Sequence, residues 1–395
     1  MLFQNIFLIS LLSFASSSPT PQKPGTWQPI LDEEPSYVNP SDCTNPPLRK
    51  EWRQLTIPER KDYTRAVVCL YNMKPTRLAN LIGVDTEYST FTANHKTQTP
   101  WVHFTGLFLP WHRLFIREYE RSLQDLCGYK GVQPYWDYTI DSGPGKNITE
   151  APVFDPQHGF GGNGKYDKAL NDRIPKSVGT FWGGGCLKDG PFKNFRFKLA
   201  RDKFWRLDDR CLSRNIWEAY TVYTEQRLED IILIQPNFEN MTVYLEGPGF
   251  EGSQPLPGGW VTTIHAGGHF VFSGHPFDVI TGSDPWTSVL DPLFWMHHTN
   301  LDRIWWEWQQ QNEKNLWGVG LRMDSRVGPV WGPEFKYVDE DMTWDSPVDL
   351  TAEFGGKRNQ VKIANLLSTA GKTAPNGAKS VLCYNYSKSP KPARL

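Results

Sequence analysis

The sequence predicts a rigid, loop-rich globule that carries amphipathic helices, and three observations lead there. Three segments, 58–71, 110–126 and 291–308, carry apolar residues every three or four positions behind a Pro or Asp start signal. With 33 Gly and 31 Pro in 395 residues, much of the remainder must be ordered loop. The chain is long and rich in aromatic residues, including 17 Trp, so it can bury a large core. Charge is balanced at 42 basic against 43 acidic residues, which gives no reason to expect a nucleic-acid or anionic-membrane partner.

Taken in order, Leu2 to Ala15 form an apolar run too short for a transmembrane helix. The small residues Ala15, Ser16, Ser17 and Ser18 follow as a cleavage site, so residues 1–18 read as a secretory signal peptide, with no membrane anchor. Residues 19–41 are a Pro-rich, polar N-terminal arm. Six cysteines, Cys43, Cys69, Cys127, Cys186, Cys211 and Cys383, suit the oxidising secreted route; an even count predicts that all pair, with Cys186–Cys211 as a short bridge. Sequons at Asn147, Asn240 and Asn385 fit the same route.

A first helix is predicted from Pro58 to Tyr71, with Tyr63, Val67 and Leu70 on its buried face and its Lys and Arg on a solvated one. The segment from His95 to Cys127 follows. Its Trp111, Phe115, Tyr119, Leu123 and Leu126 repeat at helical spacing behind Pro110, placing His112 in a first turn, while His95 and His103 precede it on less regular backbone. His158, in the Gly-rich DPQHGFGGNG, reads as a surface histidine, and His275 as a loop histidine. FWGGGC lacks the Lys and Ser/Thr of a phosphate loop and reads as structural turn.

The organising stretch runs from His265 to Trp308. His265 and His269 are four apart and share one helix face. A zinc protease would place Glu directly after the first of them; Ala266 stands there, so hydrolysis is disfavoured. Asp291 at an N-cap and Pro292 at the first helical position open an apolar helix that carries His297 and His298. Adjacent helical residues point about 100° apart, so these two are not expected to face one metal together.

Three of the nine histidines fall between 95 and 112 and five between 265 and 298, a clustering that core packing does not explain. Imidazole-only clusters without thiolate or an obvious carboxylate suit copper, zinc or nickel. A mononuclear zinc site would use only half of them. Two adjacent copper ions with three imidazoles each would use six of them, and such a pair can deliver two electrons together to dioxygen.

These residues carry a specific resemblance. His103, Phe108, His112, Arg113 and Glu120 resemble the copper A signature of the tyrosinase, catechol oxidase and hemocyanin family. His265, His269, Asp291, Pro292, Phe294, His298 and Asp302 resemble its copper B signature. Arg49 with Glu51 and Trp52, PYWDY at 134–138, and Tyr384-Asn385-Tyr386 resemble further family segments, so the likeness spans a catalytic domain at 42–387 and leaves 388–395 as a short basic tail. The resemblance implies a mainly α-helical domain with little β structure, whose central four-helix bundle holds two copper ions, one on His95, His103 and His112, the other on His265, His269 and His298. Phe294 would pack beside His298, and Asp302 would stand one turn beyond it as a supporting carboxylate.

Two departures shape the expected activity. Trp101 stands where many members have a thioether-forming cysteine, and only SKSPKPARL follows Tyr386, too short for the domain that covers the site in larger relatives; an open site is therefore expected. In members with strong monophenol activity an Asn follows the first copper B histidine, with a Glu nearby. Here Ala266 takes the first position, and Gln254, a neutral amide, is the candidate for the second. The expected function is a secreted oxidase converting o-diphenols, o-aminophenols and, weakly, monophenols to quinones with dioxygen. The alternative is a hemocyanin-like oxygen carrier.

Overall fold

A computed structural model describes residues 43–172, 182–247, 262–273, 283–321, 340–350 and 361–390. Its helices are α1 (Ile57–Asn72), α2 (Glu87–Val102), α3 (Phe108–Cys127), the one-turn α4 (Lys168–Asn171), α5 (Gln226–Leu233), α6 (Phe238–Glu246), α7 (Ile264–Ser273) and α8 (Leu293–Gln309), followed by short turns. The described strands pair two by two: β1 (Leu48–Arg49) with β6 (Asn385–Tyr386), β2 (Gly164–Tyr166) with β3 (Gly184–Leu187), and β4 (Arg196–Leu199) with β5 (Leu207–Cys211). The mainly helical expectation holds.

Each central helix starts and stops where its sequence supplies the missing backbone partners. In α1, Thr56 and Glu59 form a reciprocal capping box. In α3, Pro110 falls in the first turn, where no amide donor is needed, and Gly128 closes the helix in the left-handed region at φ 64°, donating to the Gln124 carbonyl. The helix opens at Phe108, before Pro110, so His112 lies beyond the first turn. For α8 the structure shifts the expected start by one residue, with Pro292 as the N-cap and Leu293 the first helical residue; Asp291 Oδ1 still accepts from the Leu293 amide at 3.0 Å, and Arg214 holds the same carboxylate with two nitrogens at 3.1 and 2.9 Å.

The structure corrects the reading of His95 as lying on less regular backbone, while that reading holds for His103, which is extended just past the helix. His95 lies inside α2, and His103 is its C-cap. Thr86 and Ser89 cap its start reciprocally, and Pro100 sits in its last turn. The polar run TANHKTQT conceals this helix, because nearly all of it is buried against other parts of the protein rather than along one apolar stripe.

An aromatic layer sets the positions of α2, α3 and α8. Tyr119 stacks on Trp295 with ring centres 3.7 Å apart, Phe115 lies 4.9 Å from Trp295, and Phe91 meets it edge-on at 5.6 Å. His95, His112 and His298 stand within about one turn of these residues on the same three helices, so the layer fixes the ground from which the imidazoles project.

The chain ends are fastened together beneath the bundle. Parallel pairing of Leu48 with Asn385 and Arg49 with Tyr386 is reinforced by Cys43–Cys383. Cys69–Cys127 joins α1 to the end of α3, and Cys186–Cys211 joins β3 to β5. All six cysteines are paired, as the even count predicted, and the short bridge is the expected one.

Candidate metal centre

The first histidine group converges from α2 and α3. His95, His103 and His112 each turn one ring nitrogen inward, and these atoms lie within 4.8 Å of one another. The outer nitrogens are fixed by local backbone: His103 Nδ1 donates to the Thr99 carbonyl at 2.9 Å, and His112 Nδ1 to the Phe108 carbonyl at 2.8 Å. Holding the proton on Nδ1 leaves the Nε2 lone pair bare. His95 Nε2 and His112 Nε2 are buried and have no hydrogen-bond partner.

The second group comes from α7 and α8. His265, His269, His297 and His298 bring one nitrogen each within 4.8 Å of the others, and the Nε2 atoms of His269 and His298 face each other at 3.1 Å. The presence of His297 corrects the helical-angle expectation. Its ring centre is 4.5 Å from that of His269, and it stacks parallel to His265 at 5.7 Å. Side chains are not radial spokes, and two adjacent imidazoles can bend toward one point when the facing helix comes close. Gly268 permits that approach, since a Cβ there would lie 2.2 Å from His297 Cε1; Gly267 packs instead against Tyr223, whose Cβ would lie 2.7 Å from an added Cβ.

The two groups are neighbours. His112 stacks on His298 at 4.4 Å, and His103 lies 6.0 Å from His265. Phe294 packs on His298 at 4.1 Å as expected and also approaches His95 at 5.4 Å, while Phe108 lies 4.7 Å from His265 and 4.8 Å from His112. Burial lowers the basicity of these imidazoles, taking His103 down to about 4 and His95, His112, His265, His297 and His298 well below their ordinary value. All are therefore neutral at pH 7, the state a metal ion requires. Orphaned, neutral, convergent imidazole nitrogens fit a metal that favours nitrogen donors.

Other expected residues fall in different places. Asp302 does not stand behind His298, whose Nδ1 has no partner. Its carboxylate instead accepts from Arg113 Nε at 2.5 Å, Tyr384 Oη at 2.6 Å, the Tyr386 hydroxyl, and Arg49 at 3.4 Å. Ala266 is buried on α7 with only a methyl group to offer. Gln254 and His275 lie outside the described residues. His158 faces Asp155 at 3.6 Å, away from the site. The site is less open than expected among the described residues: His269 alone of the seven imidazoles is half-buried, and the others are at most 8 % exposed.

One residue near the site carried no signal in sequence. Glu246, at the end of α6, has a fully buried carboxyl that burial pushes well above its ordinary value, beside the Phe104 amide that follows His103. Its carbonyl accepts from Thr263, just ahead of α7.

Comparison with known proteins agrees with this geometry. Residues 85–311 match the family described as the common central domain of tyrosinase. Tyrosinase P of Aspergillus terreus is 30 % identical over 301 residues, covering 69 % of this chain and 78 % of that protein. N-acetyl-6-hydroxytryptophan oxidase ivoB of Emericella nidulans is 28 % identical over 377 residues, covering 88 % and 94 %. Among solved structures, a point mutant of a polyphenol oxidase from Thermothelomyces thermophila superposes with a TM-score of 0.65 at 26 % identity, covering 87 % of this chain and 89 % of the other.

Proposed function

Since the chain belongs to the tyrosinase family, we propose that it is a secreted catechol oxidase that uses two copper ions and dioxygen to convert o-diphenols, and the related o-aminophenols, to o-quinones. Family membership makes it an oxidoreductase of polyphenol oxidase type and links it to copper. The observation that carries the finer reading is the pair of adjoining imidazole groups with bare inward nitrogens. His95, His103 and His112 would hold one copper, and His265, His269 and His298 the other. When bound, the pair would supply the two-electron oxidation of the catechol.

The chain's own residues do the rest. Backbone carbonyls of Thr99 and Phe108 hold two rings in the metal-ready tautomer. Phe108 and Phe294 wall the groups with apolar surface and keep water from the imidazoles. The oxidase names of the relatives, one of them for a hydroxylated indole, support turnover of phenolic rings over oxygen carriage.

Diphenols are favoured over monophenols on a proton argument. A monophenol with a pKa of about 10 must lose its proton to meet a metal, which calls for a nearby base. Ala266 cannot orient a water, and burial pushes the Glu246 carboxyl well above its ordinary value, which disfavours the ionised form a base would need. A catechol has a second hydroxyl with which to engage the site. Oxygen uptake on 4-methylcatechol and 4-methylphenol at equal copper loading tests this: a large excess on the catechol is expected, and equal rates without a lag would refute it.

The catalytic unit is proposed to be one domain, 42–387, whose ends are fastened by β1–β6 and Cys43–Cys383. Three disulfides support secretion, and no described helix is long and apolar enough to cross a membrane. Asn147 and Asn240 are exposed and suited to glycans, whereas Asn385 is half-buried in the β1–β6 pairing. Mass spectrometry of the secreted chain checks both points: cleavage after residue 18 and glycans at the first two sequons are expected, and an intact leader would contradict secretion by this route.

A further inference from the structure

We propose that His297 is a loading ligand: a fourth imidazole in the second histidine group that captures the first copper ion, so that this group fills before the first. The inference rests on reading the two groups as a copper pair and concerns how the pair is assembled.

His297 is fully buried, and neither of its ring nitrogens makes a well-formed hydrogen bond, although the His265 carbonyl offers one of them an acceptor. A buried polar group left unsatisfied costs about 1–3 kcal/mol, a penalty that Phe or Leu at this position would avoid. The facing helix makes a second concession. Only glycine fits at position 268, because a Cβ there would sit 2.2 Å from His297 Cε1, and glycine inside a helix costs about 1 kcal/mol against alanine. Two destabilising features thus keep an imidazole where an apolar ring would pack.

Its placement explains what the imidazole is for. The four nitrogens of the second group lie within 4.8 Å of one another. Imidazole nitrogens about 2.0–2.1 Å from a tetrahedral ion stand about 3.3 Å apart, so ring adjustments of about an ångström gather them around one cation. The second group is also the less tethered. His103 and His112 are tethered through Nδ1 to backbone carbonyls, whereas no hydrogen bond tethers His298 Nδ1. His269, the most exposed imidazole of the site, belongs to this group and gives an arriving ion its first contact. A group with four donors, a less tethered ring and an exposed member takes the first ion; the tethered three-donor group takes the second.

The test uses the full secreted chain, stripped of metal and titrated with copper(I) against a chromophoric copper(I) chelator. His297→Phe keeps a flat ring and removes the donor; its first equivalent is expected to bind at least ten-fold more weakly than in the unsubstituted chain, while excess copper still fills both sites. His297→Met restores a soft copper(I) donor and should recover most of the lost affinity, a rescue that a packing role would not produce. A His297→Phe chain that binds its first equivalent as tightly as the unsubstituted one overturns the proposal. So does one that holds a single copper at saturation, which would make His297 a permanent ligand. Failure of the unsubstituted chain to reach two coppers would contradict the copper-pair reading itself, and this inference with it.

Discussion

His298 and Asp302 sit one turn apart on α8, both buried, in polar clusters built on opposite rules. Around Asp302 the charges are matched: Arg113 and Arg49 donate to its carboxylate, Tyr384 and Tyr386 add their hydroxyls, and Arg49 reaches on to Glu120 at 3.1 Å. The two guanidiniums also lie over the rings of Tyr384 and Trp305, at 3.6 and 3.5 Å. Around His298 the opposite holds, with ring nitrogens of His95, His112, His265, His297 and His298 lacking partners. Paired buried charge fastens segments 48–49 and 384–386 to the bundle, whereas unsatisfied buried imidazole keeps lone pairs ready for a metal ion. Proximity on one helix therefore says little about role; the state of the partners says most.

The largest expected effect separates the two clusters by stability. Asp302→Ala leaves Arg49 and Arg113 buried without their shared counter-charge and should cost about 3–5 kcal/mol in urea unfolding of the metal-free chain. His298→Ala should leave that chain much closer to the original stability while abolishing turnover and removing one of two coppers by metal analysis. His297→Ala should still hold both coppers at saturation. The reverse copper counts would move the permanent ligand to His297.

A smaller effect probes the close approach of α7 to α8. Gly268→Ala must displace the His297 ring and should cost about 1–3 kcal/mol, the usual range for overpacking. An unchanged melting temperature would show that the helices have room the structure does not give them.

The smallest contrast is in pH dependence. In the metal-free chain the folded imidazoles have lowered pKa values, His103 about 4 against an unfolded value near 6.5. Between those limits the unfolded chain binds more protons, so stability rises with pH and is lost progressively on acidifying from about pH 6.5 toward 4. Burial pushes the Asp302 carboxyl up, but Arg113 and Arg49 outweigh it and hold it below its usual range. Its contribution persists above the unfolded carboxylate value and fades only as pH falls below about 4. Denaturant midpoints from pH 7 to 3 should show two successive losses, the first suppressed by copper. A single loss below pH 4 would mean that the histidines are not buried as described.

Sequence carried the imidazoles further than it carried their surroundings. The pair His265 and His269 was legible because the helical repeat puts them on one face, and the start of α8 was legible to within one residue, because Asp291 still takes the Leu293 amide although Pro292 is the N-cap. The α2 helix was not, since its burial comes from partners on several sides and leaves no apolar stripe. The partners of Asp302 come from positions 49, 113, 384 and 386, a convergence that no local spacing encodes. Glu246 was one carboxylate among 43 acidic residues, distinguished only by folding. The convergence of His297 depends on how near Gly268 lets the facing helix come, a tertiary distance that an angle within one helix does not contain.

The most direct test of the whole account joins metal content to turnover. The purified chain should contain two coppers and consume oxygen on 4-methylcatechol; chelation should abolish both, and copper, but not zinc, should restore them. One metal per chain, or recovery of oxidation with zinc, would contradict the account.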